Sequence, residues 1–250
     1  LLKIKIGLIK MKLWHQIAIW TGGLSTWILL VSSAINAYER QELKDFKLQF
    51  ENRQDRSFLS LLEMEKQVQK ELGDSSLQLA EINKALLEES IDNHPAIRKA
   101  EVYSKIDGSL RIMLWQHDPL ARVIGRRSSF YLLDAGEKMP LSPYFSEEVP
   151  LVSGDLNDED LALIASFWQS LKQDEFYQQF FTGLHCNEQK EWTLFPAKGN
   201  FKIRVGKPEE LEEKLTKLKV FYTQAPAPKY LNKLKEIDLR FEGQLICRKN

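Results

Sequence analysis

Leu13 to Tyr38 forms one long stretch without a charged residue, while the rest of the chain carries charge throughout. Such a stretch predicts a helix that, at about 1.5 Å per residue, exceeds the roughly 30 Å hydrocarbon core of a bilayer. Trp14 and Tyr38 stand at its ends, where amphipathic rings favour the headgroup region. Downstream the pattern changes to alternation: Phe46, Leu48 and Phe50 predict a short strand. Ser57 is a candidate cap for a helix carrying Phe58, Leu61, Leu62, Val68 and Leu72 at helical spacing and ending at Gly73. Ser76 starts a second predicted helix through Leu79, Ile82, Leu86 and Leu87, stopped before His94-Pro95. Val102, Ser104 and Ile106 then alternate on one side of Asp107-Gly108, and Leu110, Ile112 and Leu114 on the other. A loop over Asp107 to Ser109 pairs Ile106 with Leu110 and keeps both apolar sets on one face, which a two-residue loop would not. The order strand, helix, helix, strand, strand suits a small three-stranded sheet covered on one side by two helices.

Pro119 punctuates the chain, and a strand-rich pattern follows. Ala121 to Ile124, Phe130 to Leu133 and Val149 to Ser153 are short strand candidates, with a turn at Asp134-Ala135-Gly136. Asp158 to Lys172 predicts a helix capped at Asp158, with Leu161, Ile164, Ala165, Trp168 and Leu171 on one face. Residues 183–206 predict an antiparallel set built on Leu184 and Cys186, Trp192 and Leu194, then Phe201, Ile203 and Val205. Pro208 opens a helix at its first position, with Leu211, Leu215, Leu218, Phe221 and Tyr222 buried, and Ala225-Pro226-Ala227-Pro228 stops it. Ile237 to Cys247 closes the pattern as one or two strands interrupted at Gly243.

Charge decides which way the apolar stretch would sit. Lys3, Lys5, Lys10 and Lys12 precede it with no acidic residue among them, so they stay on the cytoplasmic side and Glu39 onward is exported. A cleaved signal peptide also fits, because Ser32-Ser33-Ala34 resembles a small-x-small site and Thr21, Gly22, Gly23, Ser25 and Thr26 dilute the apolar core. A start at Met11, with only Lys12 before the stretch, would favour that alternative. The length of the stretch, beyond a usual apolar signal core of about 7–15 residues, favours a retained anchor. Ala18, Gly22 and Thr26, four apart, put small residues on one helix face and would permit close helix packing. Of 35 basic and 35 acidic residues, 31 and 35 remain once the four lysines are set aside, which gives no electrostatic case for nucleic acid. Cys186 and Cys247, with no Cys-x-x-Cys, are either two buried thiols or a disulfide in an oxidising compartment.

Candidate chemistry is sparse. His15, His94, His117 and His185 are scattered, and no metalloprotease, serine-hydrolase, phosphate-loop or dinucleotide pattern occurs. Asp158-Glu159-Asp160 sits at a predicted helix start, where carboxylates complement the dipole. His117-Asp118-Pro119 fits a capped turn, and Tyr177, Phe180 and Phe181 form an aromatic cluster best read as core. No cofactor or metal is called for.

Together these elements resemble the FtsQ/DivIB family of bacterial cell-division proteins. The likeness is carried by Phe58-Leu59, Ile82 through Glu88, His94-Pro95-Ala96-Ile97, Gly108-Ser109-Leu110-Arg111-Ile112 and Pro119-Leu120-Ala121-Arg122-Val123. Tyr131 to Asp134, Gly136, Met139-Pro140 and the terminal Asp238-Leu239-Arg240-Phe241 complete it in order. The resemblance implies an α+β protein: a cytoplasmic tail over 1–12, a single N-terminal transmembrane helix over 13–38, a POTRA-like β-α-α-β-β domain over 39–118 and a mixed antiparallel β-domain with helices over 119–250. It implies a non-enzymatic scaffold of the division machinery in the cytoplasmic (inner) membrane, its bulk extracytoplasmic, at the septum. It also implies two small bitopic coiled-coil partners, FtsB-like and FtsL-like, held by the distal part of the β-domain. Carried onto this chain, the expected partner-binding residues are Phe241, Glu242, Gly243, Gln244, Leu245 and Ile246.

The last strand suits that role on physical grounds if it lies at a sheet edge, where unpaired N–H and C=O groups accept another strand. Leu239, Phe241 and Leu245 could equally face the core. Two other classes stand beside the scaffold: a POTRA-containing component of envelope protein export or assembly, and a membrane-tethered cell-envelope enzyme. The first would carry repeated POTRA units or a long barrel, and the second an acidic or histidine-lined cleft within 119–250.

Overall fold

The computed structural model describes residues 2–52, 56–73, 77–125, 128–224, 231 and 233–249, with side chains from 19 onward except 38 and 39. Ser76 and the expected stop at Ala225-Pro226-Ala227-Pro228 lie outside the described residues, as do the side chains of the four lysines, Trp14, His15 and Tyr38. The chain divides into two compact units. The first is Leu1–Asn52, Leu61–His94 and Lys99–Trp115; the second is Arg53–Ser60, Pro95–Arg98 and Gln116–Asn250.

The first unit begins with α1, Leu2–Glu39, an unbroken helix of 38 residues. Its small polar residues bond backward along the helix: the Thr26 hydroxyl donates to the Gly22 carbonyl at 2.6 Å and Ser25 to the same oxygen at 2.9 Å. Trp20, Leu24, Trp27, Leu29, Leu30 and Ile35 are all exposed along it. Among the described residues no helix is long and apolar enough to cross a membrane. The polar residues Thr21, Ser25, Thr26, Ser32, Ser33 and Asn36 dilute the apolar surface that the sequence led one to expect.

After α1 the chain forms β1 (Asp45–Phe50), α2 (Leu61–Leu72), α3 (Lys84–Asp92), β2 (Ile97–Ser104) and β3 (Ser109–Gln116). The sheet runs in the order β1-β3-β2, with β1 parallel to β3. The predicted element order therefore holds, while both helix starts move. Ser57 does not cap α2; its hydroxyl is spent on Leu59, whose N–H it accepts at 3.1 Å, and the helix begins at Leu61. Met64, Val68 and Leu72, one turn apart, are the buried stripe of α2, so Leu61 and Leu62 face out. Asn83 caps α3, accepting from the Leu86 N–H at 3.2 Å, so Leu79 and Ile82 are buried ahead of the helix rather than within it. The hairpin turn is one step earlier than expected. Lys105 donates to the Ser109 carbonyl at 2.8 Å, leaving Ile106 to Gly108 as the loop, with Gly108 at φ +88°. The shift is by two residues in pairing, so Ala100, Val102, Leu110, Ile112 and Leu114 still share the buried face.

The second unit is built on β4 (Ala121–Ile124), β5 (Ser129–Leu132), β6 (Lys138–Pro140), β7 (Leu151–Gly154), β8 (Phe181–Cys186), β9 (Trp192–Pro196), β10 (Lys202–Gly206), β11 (Leu234–Asp238) and β12 (Ile246–Lys249). These form one mixed sheet in the order β12-β11-β10-β9-β8-β7-β4-β5-β6. Helix α4 (Asp158–Gln173) connects β7 to parallel β8, and α5 (Leu211–Gln224) connects β10 to parallel β11. Parallel crossovers are right-handed, and both step the same way across the sheet, so both helices belong on one face. Register agrees. Val123, Val152, Leu184, Leu194, Ile203 and Ile237 lie in one row across six strands, all buried with Ile164, Trp168 and Leu218 of the helices. The neighbouring row, Ile124, Ser153, His185, Thr193, Arg204 and Asp238, points to the opposite face.

Several boundaries differ from the sequence reading. Asn157, not Asp158, caps α4: its side chain accepts from the Asp160 N–H while Asp160 accepts from the Asn157 N–H. Pro208 precedes α5 rather than opening it, and Phe201 is buried just outside β10. Lys138–Pro140, not foreseen as a strand, pairs with β5 across the Asp134-Ala135-Gly136 turn. Tyr177 and Phe181 are core, stacked 5.7 Å apart, and the Tyr177 hydroxyl donates to the Leu215 carbonyl at 2.6 Å. Cys186 and Cys247 are free thiols.

Candidate functional site

The expected binding residues sit where β11 turns back into β12, at one end of the nine-stranded sheet. They do not form a strand together. Phe241 to Leu245 belong to the connection between the two strands, and only Ile246 is in β12. The cause is local chemistry at the end of β11. The Asp238 carboxylate, with no side-chain exposure, accepts from the Arg240 N–H at 3.2 Å and from its Nε and Nη2 at 2.9 Å each. That clamp sits at the end of β11, and the chain leaves the sheet after Leu239, which makes the last bond to β10. Burial pushes the Asp238 carboxyl up, but the Arg240 bonds outweigh it and hold the carboxyl below its ordinary value.

Each residue of the Asp-Leu-Arg-aromatic run has a separate task. Leu239 is fully buried, and its N–H donates to the Arg204 carbonyl at 2.9 Å. Arg240 lays its aliphatic stem over Gly206, where a Cβ would meet the Arg240 Cγ at 2.8 Å and where φ is +74°. Phe241 is turned outward, 40 % exposed, and its carbonyl accepts from the Lys217 ammonium of α5 at 2.8 Å. Glu242, Gly243 and Gln244 are exposed, and Gly243, at φ +65°, makes the turn. Leu245 packs half-buried against the core. Of the three side chains that could have faced the core, then, Leu239 does, Leu245 does in part and Phe241 does not.

Strand order places β12 at the edge of the sheet. It pairs antiparallel with β11 through Asp238–Ile246, Ile237–Cys247 and Glu236–Arg248, with an irregularity between Leu234 and Glu236. The opposite edge, β6, has three residues and ends in Pro140, which cannot donate to a ladder. The two ends are thus unequal, and β12 is the better template for another strand. Beside it, the buried Glu236 carboxylate lies 3.2 Å from Arg248, 3.4 Å from Lys202 and 3.9 Å from Arg204, and Arg240 also lies 4.0 Å from Glu191. Neither this carboxylate network nor the Arg240 clamp was foreseen; the Asp-x-Arg spacing was the available signal for the clamp.

Elsewhere the side chains offer little organised chemistry. His117 is half-buried, its ring pushed below the ordinary range by burial, and its backbone N–H donates to the Ala96 carbonyl at 3.0 Å. Ser153 and His185 Nδ1 approach to 2.9 Å on the exposed sheet face. Among the described residues no cluster of three His, Cys, Asp or Glu side chains could hold a metal.

An α+β chain whose second unit is one mixed sheet, helices on one face and a C-terminal edge strand, defines the architectural class. Residues 118–248 match the family described as FtsQ/DivIB, C-terminal related, and the chain belongs to that family. It is also similar to Cell division protein FtsQ of Rhodothermus marinus, 26% identical over 190 residues that cover 70% of this chain and 68% of that protein.

Proposed function

We propose that this chain is a non-enzymatic scaffold of the bacterial division machinery, which holds partner proteins at the septum through the β12 edge. The observation that carries the reading is the position of β12: the last strand of the family-matched region ends a nine-stranded sheet, with an exposed aromatic, Phe241, in the loop beside it. A partner strand adding there gains main-chain hydrogen bonds, and side chains of the 241–246 segment select which strand it is. The proposed partners are small bitopic coiled-coil proteins, FtsB-like and FtsL-like. The name of the Rhodothermus relative supports the assignment to cell division.

The proposal extends to the membrane. The apolar side chains of α1 have no cover from the rest of the described chain, and a helix exposing so much apolar surface needs a lipid or protein surround. A single-pass anchor in the cytoplasmic membrane, with the lysine-bearing end inside, supplies that surround. The first folded unit then takes the place of a POTRA-like domain next to the bilayer.

Affinity capture and crosslinking from membranes of the native host, with the full chain as bait, test the reading. The expected catch is small bitopic coiled-coil proteins, and Phe241→Ala reduces their recovery while the protein stays folded. Undiminished recovery by a folded Phe241→Ala chain would remove the edge loop from the site.

A further inference from the structure

Ile106, at the tip of the β2–β3 hairpin, is 89 % exposed. Strand β3 is parallel to β1 in the register Asp45–Ser109, so the end of the sheet that carries the hairpin tip is the end at which the chain arrives from α1. Contacts fix the closeness. The Lys44 N–H donates to the Gly108 carbonyl at 3.1 Å, and a Cβ on Gly108 would meet Gln41 Nε2 at 2.8 Å. Gln41 follows the last residue of α1, Glu39, by two positions, at most about 7 Å of chain. Ile106 is two residues from Gly108 in the other direction, again at most about 7 Å. The segment 77–79 braces the same end, with Leu43 donating to Leu77 and Leu79 donating to Gln41, each at 2.9 Å.

We propose that the Ile106 tip is a second membrane contact, dipping an apolar side chain into the lipid headgroup region beside the anchor. The turn chemistry suits this. Asp107 is bent inward, accepting from the Ser109 N–H at 2.9 Å and hydroxyl at 2.6 Å, so its charge is engaged within the turn. Arg40, Lys44 and Lys105 near the tip alternate with Glu42 and Asp45, so this end carries no large net charge to oppose approach to a headgroup layer. One apolar side chain contributes little affinity of its own. Linked to an anchored helix, it acts at high local concentration and restricts the tilt of the first unit relative to the bilayer. The partner is a lipid surface, and the inference rests on the reading that α1 is held in a membrane.

The test uses the full chain in vesicles of phosphatidylethanolamine and phosphatidylglycerol. A benzophenone amino acid replaces Ile106, Leu29 of α1, or Lys99 on β2, one at a time, and illumination is followed by mass spectrometry of the peptide. Lipid adducts are expected at 29 and at 106, and several-fold fewer at 99. Adducts at 29 with no more at 106 than at 99 would overturn the hairpin contact alone. Adducts at none of the three would overturn the membrane anchor and the hairpin contact with it. A second variant, Ile106→Asp, should leave the chain folded and abolish any Ile106-dependent protection of the tip from proteolysis in vesicles; protection equal to that of the parent would overturn the contact.

Discussion

Replacing Asp238 is the sharpest perturbation of the site's architecture. Its carboxylate is inaccessible to solvent and takes three hydrogen bonds from Arg240, two of them bidentate at 2.9 Å. Breaking a buried ion pair by removing one partner costs about 3–5 kcal/mol. Arg240 is 31 % exposed and keeps Glu191 at 4.0 Å, so Asp238→Ala should cost less, about 2–3 kcal/mol. Asp238→Asn keeps an acceptor for the Arg240 N–H and loses the charge, for about 1–2 kcal/mol. In a unit of this size the alanine change lowers the melting midpoint by roughly 5–10 °C. Tryptophan fluorescence is a direct assay, because Trp168 and Trp192 lie in the same core. The sign with pH is fixed as well. The folded carboxyl lies below its ordinary value of 3.8, so its contribution is complete above that value and disappears as pH falls through the lower folded value. Parent and Asp238→Asn should therefore converge in stability on strong acidification. A midpoint for Asp238→Ala equal to the parent's, or a difference that does not shrink in acid, would refute the clamp.

Other expectations follow from single contacts. Gly206→Ala forces a side chain into a left-handed conformation at φ +74° and against the Arg240 stem, and should cost at least about 1–2 kcal/mol in urea unfolding. Asn157→Ala removes the reciprocal cap of α4, for about 1 kcal/mol and a matching fall in the denaturation midpoint. Phe241→Ala changes an exposed side chain, so its stability should stay within about 0.5 kcal/mol of the parent while partner capture falls.

The sequence made the elements legible where burial repeats. Leu161, Ile164, Ala165, Trp168 and Leu171 marked α4 because one helical face meets the sheet, and Leu110, Ile112 and Leu114 marked β3 because one strand face does. Helix starts were less legible: Ser57, ahead of α2, spends its hydroxyl on Leu59 two residues on, whereas Asn83 reaches the Leu86 N–H three residues on and caps α3. The pairing of β10 with β11 across α5 was invisible, because parallel neighbours are joined through a long crossover rather than a turn. At the candidate site, the run from Ile237 to Cys247 read as one or two strands interrupted at Gly243; it is two strands, with Gly243 in the connection, and what was not legible is how early the first strand ends, because side-chain chemistry sets that. Asp238 turns the chain through Arg240, and that depends on Arg240 finding Gly206 beneath it. Gly206 and Arg204 of β10, the first under the Arg240 stem and the second accepting from the Leu239 N–H, settle what the local pattern left open.

An edge strand with a clamped loop suits the proposed role of holding another chain. The edge is short, and Arg248 and Lys249 are exposed on it, which discourages indiscriminate pairing while leaving the backbone available to a matched partner. The loop before it is tied at two points, by Asp238 to Arg240 and by Lys217 to the Phe241 carbonyl. Such preorganisation lowers the entropic cost of association.

Amide hydrogen exchange over residues 239–249, in the free chain and in the complex captured from membranes, tests the central claim most directly. Strand addition predicts that β12 amides which exchange readily in the free chain become strongly protected in the complex, with the slowing confined to this edge. Unchanged exchange in β12 while the partner remains bound, or protection that appears only elsewhere on the chain, would contradict it.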